Sequence, residues 1–303
     1  MPKIVVYTAI AGKYDTLKEP PGGLLKEVAF VAFCDCTPPA TSWEVRKVCT
    51  EFSDPCRNAK THKILPHMFF PEATYSLWID GSVAINGAFP IKQWIEECLS
   101  ESDWAIFKHP DRQCIYDEAE ACIRLAKDDP AIIQSQMALY RKENYPANNG
   151  LVESAVILRR HTEAVRQFNE AWFQEIRNNS RRDQLSFNYV AHKTGLKFRY
   201  LPESLRHGPD CYFQFQFHGA QIEHGLRLRK ALANRFLLIC VILALAWIPA
   251  GLGLILADTK LRPMLPGFLR LWPLAVVPLC GAGIFWIWRV VLKRKIREAK
   301  WEI

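Results

Sequence analysis

Residues Tyr75 to Ile85 read YSLWIDGSVAI, and this segment carries the clearest strand pattern of the chain. Its first half is apolar, as is typical of a buried strand, and Asp80 with Gly81 then interrupts the run at a turn. Because glycine has no side chain, the backbone at Gly81 can approach a ligand closely. Ligands of open α/β sheets bind where the strands end. The stretch therefore predicts a strand that carries Asp80 at the ligand-binding edge of a sheet.

Similar runs alternate with helical stretches over the first three quarters of the chain. Asp54 followed by Pro55 marks the start of one helix, which runs towards Leu65. The other predicted helices cover about 114–127, 131–140, 163–176 and 182–192. The predicted strands cover residues 3–10, 27–35, 43–48, 75–85, 104–110, 154–160 and 197–202. This alternation predicts an α/β fold with a mostly parallel sheet.

Composition excludes a disordered or low-complexity protein. The chain has 303 residues, of which 50% are hydrophobic and 23% charged. Its net charge of +8 is concentrated at one end, since 13 basic and 3 acidic residues follow position 225. The remaining part is close to neutral, so the charge does not indicate nucleic acid as a partner.

The basic end also contains two apolar runs, residues 236–257 and 271–288. They predict two transmembrane helices, at about 236–257 and 271–291, in a membrane module of residues 226–303. Basic residues flank the pair on both sides, which predicts that both termini and the domain of residues 1–225 are cytoplasmic. A pair of buried helices in a soluble protein is the alternative.

The ten cysteines are scattered without a C-x-x-C pair, as expected of free thiols in a reducing compartment. A zinc site formed by Cys34, Cys36, Cys49 and Cys56 is an alternative, although their spacing matches no common pattern. The P-loop and H-E-x-x-H motifs are absent. The informative residues are instead carboxylates that follow strands, at Asp35, Asp80 and Asp111. Such acids are often turn-formers, but three of them favour a site for a hard cation and a phosphorylated ligand.

Several blocks in this order resemble a known family. They are YTAIAGKYDTL, FCD, WEVR, DPCRNAKTHKILPH, LWIDGSV, FKHPDRQCIYDEAEAC and SRRDQLSF, and together they span about residues 3–187. They resemble the glycosyltransferase-like family once catalogued as a domain of unknown function, whose best-known members are plant Golgi proteins acting on cell-wall polysaccharides. The resemblance implies a GT-A type fold that binds a nucleotide-diphospho-sugar and transfers a hexosyl or pentosyl group to an acceptor.

The resemblance also implies a Mn²⁺ or Mg²⁺ cofactor. Asp80 stands where GT-A enzymes keep an Asp-x-Asp motif, and Ser82 replaces the second acid. Asp80 would ligate the cation that bridges the donor phosphates, and the cation would stabilise the leaving nucleoside diphosphate. A second protein ligand is then required, and His207 is preferred over His218, although a structural role for either is an alternative.

Other residues are predicted to bind the donor. The ends of the first two strands would contact the nucleoside, through Thr8, Ala9, Tyr14 and Asp35. Arg57, Lys60 and Lys63 share one face of a helix and would pair with the diphosphate. A solvated basic face is the alternative.

Asp183 is the predicted carboxylate nearest the acceptor. Ser180 would cap the following helix and place Asp183 in its first turn. Asp183 would be the general base of an inverting enzyme, or would orient substrate and stabilise positive charge on the sugar in a retaining one. A helix-capping role is the alternative. The remaining predicted substrate-binding residues are His109, Asp111, Arg182 and Gln184.

Together these features predict a membrane-tethered glycosyltransferase with a nucleotide-sugar donor and a glycan or lipid-linked acceptor. A non-catalytic relative that binds glycan or nucleotide, suggested by the missing second acid, is one alternative. A membrane scaffold is the other.

Overall fold

A computed structural model of the chain describes residues 3–12, 14–36, 40–202 and 211–216. All of them belong to the first of the two units into which the chain divides, Met1–Glu223. Within these residues, no helix combines the length and the apolar character needed to cross a membrane. The two predicted spans, and with them His207 and His218, lie outside the described residues.

A seven-stranded sheet forms the centre of the unit, in the order β3-β2-β1-β4-β7-β6-β8. β1 is parallel to β2 and β4, β2 to β3, and β6 to β8, whereas β7 runs antiparallel to both of its neighbours. The mostly parallel α/β sheet predicted from the sequence is therefore confirmed. The strands are β1 Ile4–Ile10, β2 Ala29–Cys34, β3 Glu44–Lys47, β4 Tyr75–Ile79, β5 Val83–Ile85, β6 Trp104–Lys108, β7 Val152–Arg160, β8 Arg199–Tyr200 and β9 Phe213–Phe215.

Both faces of the sheet are covered, as continuous apolar strands require. In β1, Val5 and Tyr7 pack into one core cluster while Ile4 and Val6 pack into the other. The helices are α1 Pro55–Ile64, α2 Pro66–Phe69, α3 Ile91–Cys98, α4 Ile115–Arg124, α5 Pro130–Lys142, α6 Glu163–Asn178 and α7 Asp183–Thr194.

Two helix starts position the site. The Asp54 carboxylate accepts a hydrogen bond from the Cys56 backbone N–H at 3.0 Å, so α1 begins as predicted. Asp183 is the first residue of α7, also as predicted. The predicted Ser180 cap is wrong, because Arg182 occupies the N-cap position. The Ser180 hydroxyl donates to Asp128 at 2.7 Å and accepts from the Arg182 backbone N–H at 3.2 Å, one residue before the helix begins.

β5 and β9 form a separate two-stranded antiparallel sheet, in which Val83 pairs with Phe215 and Ile85 with Phe213. The chain therefore leaves the main sheet after β4 at the turn that contains Asp80 and Gly81. This break agrees with the prediction that Asp80 and Gly81 interrupt the strand.

Candidate active site

Asp80 lies directly after β4, at the carboxyl edge of the sheet. Its backbone N–H donates to the Ala155 carbonyl at 2.8 Å, which ties the turn to β7. Its Oδ1 accepts hydrogen bonds from Trp78 Nε1 at 2.6 Å and from Lys63 Nζ at 3.0 Å. The side chain is 34% exposed. Asp80 is therefore held firmly on one side and open to solvent on the other.

Asp183 lies beside it, although the two acids are about a hundred positions apart in sequence. Its Oδ2 accepts from Lys60 Nζ at 2.7 Å, from Lys63 Nζ at 2.8 Å and from the Ser154 hydroxyl at 2.9 Å. The side chain is only 2% exposed. Burial opposes its charge, but the cations of Lys60, Lys63 and Arg182 outweigh burial and hold the pKa of Asp183 far below its usual range.

Lys63 joins the two acids. Its ammonium lies 3.0 Å from Asp80 Oδ1 and 2.8 Å from Asp183 Oδ2, and its side chain is 1% exposed. Burial lowers the pKa of Lys63 against the attraction of the two carboxylates. Its backbone carbonyl accepts from the Tyr7 hydroxyl at 2.9 Å and from Arg159 Nη1 at 2.8 Å. Two buried side chains thus fix this turn of α1 against the sheet.

We call Asp80, Asp183, Lys60 and Lys63 the ion cluster. Sequence analysis placed the two acids in one site, and the structure brings them together. The guanidinium of Arg182 adds a third cation beside Asp183. Three cations against two carboxylates give the cluster and Arg182 a formal net charge of +1, and the Glu118 carboxylate also acts on Arg182.

The ends of the first two strands lie at the same edge. Thr8 is buried, and among the described residues its hydroxyl has no hydrogen-bond partner, whereas Ala9 packs in the core. The Asp35 carboxylate accepts from the Gly12 N–H. Tyr14 is 62% exposed, and the charge of Asp80 acts on its hydroxyl. Their predicted nucleoside contacts stay predictions.

Gly81 packs closely against the loop that follows β1. A Cβ at this position would lie 3.2 Å from the Cβ of Asp15 and 3.3 Å from Ile10. These distances are shorter than most Cβ contacts, so a larger residue at position 81 would require these neighbours to shift by a few tenths of an ångström.

Arg57 does not belong to the ion cluster, although it shares a helix face with Lys60. Its guanidinium donates to the backbone carbonyls of Ile176 and Asn179, the latter at 2.8 Å. These carbonyls lie at the carboxyl end of α6, where helices leave acceptors without intrahelical partners. In this structure Arg57 therefore serves as a cap for α6.

His109 and its neighbours form a second polar group where β6 ends. His109 Nδ1 accepts from the backbone N–H groups of Asp111 and Arg112, at 3.2 and 3.1 Å. Arg112 in turn donates to the buried Glu118 at 2.6 Å. His109 is buried and holds the loop that carries Asp111. Sugar binding by His109 and Asp111 stays a prediction.

Gln184 links the ion cluster to the start of β7. Its amide donates to the Val152 carbonyl at 3.0 Å and accepts from Arg182 at 3.1 Å. Two predicted substrate-binding residues, the N-cap residue Arg182 and Gln184 in the first turn of α7, therefore contact each other on either side of Asp183.

A divalent cation at Asp80 does not fit the described residues. None of them form a group of three or more His, Cys, Asp or Glu side chains able to hold a metal ion. Asp80 Oδ1 already accepts hydrogen bonds from the Lys63 ammonium and from the indole N–H of Trp78. Hard cations require several oxygen ligands, and an ammonium beside one of them repels the ion. His207, the predicted second ligand, lies outside the described residues.

Sequence reasoning missed three residues of this region. Trp78 precedes Asp80 by two positions, so the period of a strand places both on one face, and this signal was available. Ser154 and Arg159 reach the site only because β7 pairs antiparallel with β4. Nothing local in the sequence predicts that pairing.

Comparison with known proteins identifies the family of this chain. Residues 1–206 match the model of a family described as "TOD1/MUCI70, glycosyltransferase-like domain". Among Arabidopsis thaliana proteins, the chain is 32% identical to "Probable hexosyltransferase MUCI70" over 197 residues, covering 60% of this chain and 33% of that protein. It is 27% identical to "Alkaline ceramidase TOD1" over 222 residues, covering 62% of this chain and 48% of that protein.

The chain therefore matches less than half the length of either of these relatives. Among solved structures, a crystal structure of a glycosyltransferase involved in the glycosylation of the major capsid of PBCV-1 has a TM-score of 0.42 and 12% identity, covering 74% of this chain and all of that one. The family model matches about two thirds of the chain, which confirms the resemblance found in the sequence. The chain belongs to the TOD1/MUCI70 glycosyltransferase-like domain family.

Proposed function

We propose that the protein is a glycosyltransferase that moves a hexosyl or pentosyl group from a nucleotide-sugar donor to a glycan or lipid-linked acceptor. The family membership and the relative named as a probable hexosyltransferase support this proposal. The observation that carries it is the pairing of Asp80 and Asp183 through one ammonium at the carboxyl edge of the sheet. This edge is where open α/β sheets bind ligands.

Charge decides the roles within the site. In the transfer, the acceptor hydroxyl oxygen forms a bond to the anomeric carbon and releases its proton to solvent. The bond between the anomeric carbon and the phosphate oxygen breaks, and the leaving diphosphate keeps the electron pair and gains negative charge. Lys60 and Arg182 supply positive charge beside Asp183, and such preorganised charge stabilises a developing anion. We assign the leaving diphosphate to these two cations.

Asp183 acts by position. A general base works best when its pKa lies near the working pH, but the pKa of Asp183 is held far below its usual range. Its Oδ2 also accepts three hydrogen bonds already. Of the two roles left open by the sequence, these contacts favour orientation and charge stabilisation over proton abstraction. Asp80, the more exposed acid, is the one assigned to face substrate.

The test is turnover of a panel of nucleotide sugars by the full chain, followed as release of nucleoside diphosphate. Asp80→Asn and Asp183→Asn should each lower kcat/KM at least about a hundredfold, the usual cost of removing one group that stabilises transition-state charge. Lys92→Met is the matched control, because Lys92 forms an exposed pair with Glu27 at 3.1 Å.

Three outcomes would contradict the proposal. Nucleotide binding without turnover would identify a non-catalytic family member, and absence of both would favour a scaffold. Release of fatty acid from ceramide without turnover of any nucleotide sugar would place the chain with the relative named as an alkaline ceramidase.

We also propose that residues 226–303 tether the catalytic unit to a membrane, with both termini and that unit cytoplasmic. The uncharged runs 236–257 and 271–288 and their basic flanks support this. Protease protection on sealed vesicles tests it, since the unit should be digested without detergent. A protected unit would contradict the orientation.

A further inference from the structure

One ammonium occupies the centre of the ion cluster. Lys63 Nζ lies within 3.0 Å of a carboxylate oxygen of Asp80 and of one of Asp183, and 3.2 Å from the Ser154 hydroxyl. These three oxygens come from β4–β5, β7 and α7, so they converge on the nitrogen from three separate elements. Oxygens that converge in this way from separate elements are also what a bound metal ion collects.

The surrounding fold fixes the position of the Lys63 ammonium. The Lys63 side chain is buried, and its backbone carbonyl accepts from Tyr7 and Arg159. Tyr7 and Arg159 are themselves buried on β1 and β7. The nitrogen therefore keeps its position between the carboxylates without help from a ligand.

We propose that Lys63 is the resident cation of this site, so that the protein binds the diphosphate of its donor without a divalent metal ion. This inference rests on the proposed function. Lys63 neutralises one of the two carboxylates from the buried side. Lys60 and Arg182 are the other two cations beside the second carboxylate, Asp183, and they are the cations assigned to the diphosphate. Lys60 pairs with Asp183 at 2.7 Å and is the more open of the two lysines, at 14% exposed.

Lys63→Met has an unusual expected phenotype. Without the Lys63 ammonium, the Asp80 carboxylate loses its only lysine ion-pair partner among the described residues, and the Asp183 carboxylate keeps Lys60. Both acids and the Ser154 hydroxyl then surround the position of the lost nitrogen. Carboxylate oxygens are preferred ligands of Mn²⁺. The variant should therefore acquire a dependence on Mn²⁺ that the natural protein lacks, and a purely structural role for Lys63 would not produce this change.

The experiment is calorimetric titration of the full chain in detergent with UDP and with GDP, in EDTA and in Mn²⁺. The natural protein should bind one of these nucleotides in EDTA with a Kd within about threefold of its value in Mn²⁺. Lys63→Met should lose about tenfold or more in EDTA and recover part of it in Mn²⁺. Electron paramagnetic resonance should detect Mn²⁺ bound to the variant in the absence of nucleotide and not to the natural protein. Lys92→Met should behave as the natural protein does.

Binding of UDP or GDP by the natural protein only in Mn²⁺ would overturn the inference and leave the proposed function intact. Binding in neither condition would overturn both. If Lys63→Met fails to fold, as judged by circular dichroism, the two titrations of the natural protein still decide the matter.

Discussion

Two buried cations, Lys63 and Arg159, lie next to each other in this protein, and they differ in whether carboxylates surround them. Lys63 is bracketed by two carboxylates, whereas Arg159 forms no ion pair within the described residues. Arg159 instead donates to the Tyr7 hydroxyl at 2.6 Å and to the Lys63 carbonyl, and its guanidinium lies 4.4 Å from the centre of the Trp104 ring. Its Nε and Nη2 have no hydrogen-bond partner there.

Arg159 has a structural role, whereas Lys63 belongs to the candidate active site. Arg159 holds backbone and a ring in place, and burial without a counter-ion lowers its pKa. Lys63 forms ion pairs with two acids, and one of them, Asp80, remains partly exposed. Acids collected around a buried charge at a sheet edge are costly to maintain, so they are expected where chemistry needs them.

The comparison is tested most strongly by replacing each cation with methionine. Lys63→Met leaves the buried Asp183 with one ammonium fewer and should lower the free energy of unfolding by about 3 to 5 kcal/mol. Arg159→Met should change it by no more than about 1 kcal/mol, because Tyr7 and the Lys63 carbonyl still bond each other and the desolvation of a lone guanidinium is relieved. Urea denaturation of both variants measures the two values. Equal losses would show that the two cations play the same role.

A third buried basic group, His62, makes the stability of the protein depend on pH. His62, the neighbour of Lys63 on α1, stacks on Phe33 with ring centres 3.8 Å apart and accepts from the Cys49 N–H at 2.9 Å. Burial lowers the pKa of His62 from 6.5 to about 4, so this group stays neutral where the other two are charged.

The direction in which His62 changes stability with pH follows from proton uptake by the unfolded chain. Between pH 6.5 and about 4 the unfolded chain binds a proton at His62 that the folded chain does not bind. The free energy of unfolding should therefore fall by roughly 1 to 3 kcal/mol as the pH falls through this window. His62→Gln keeps an acceptor for Cys49 and should flatten the slope in urea denaturation. An unchanged slope would mean that other groups cause it.

The smallest expected effect concerns Arg57, which the sequence assigns to the donor and the structure to the end of α6. Arg57→Met removes donors from the Ile176 and Asn179 carbonyls and should cost about 1 kcal/mol of stability. The affinity for UDP or GDP should stay within about twofold of the natural value, since the guanidinium is engaged elsewhere. An affinity of Arg57→Met about tenfold weaker than that of the natural protein would instead support the sequence prediction that Arg57 binds the diphosphate.

These cases show what local sequence can and cannot predict. The apolar run that ends at Asp80, the Asp54 and Pro55 helix start, and Asp183 in a first turn all follow from residues close together in the chain. Each was predicted and each was found.

The partners of these residues were not predictable in the same way. Lys60 and Lys63 were expected on one face with Arg57, but only the fold shows that the lysines meet Asp183 while the arginine meets α6. The wrong cap at Ser180 has a similar cause, because its hydroxyl bonds to Asp128, which is distant in sequence. Contacts of this kind depend on the packing of α1, α6 and β7, which no periodicity encodes.

The proposed function requires that the diphosphate of a nucleotide sugar binds at the ion cluster. A crystal structure of the protein soaked with UDP or GDP in EDTA would show whether it does. We expect the diphosphate at the carboxyl edge of β1 and β4, within hydrogen-bond distance of Lys60 or Arg182, with Lys63 still between Asp80 and Asp183. A nucleotide bound elsewhere on the molecule, with the ion cluster unchanged and out of contact, would contradict it.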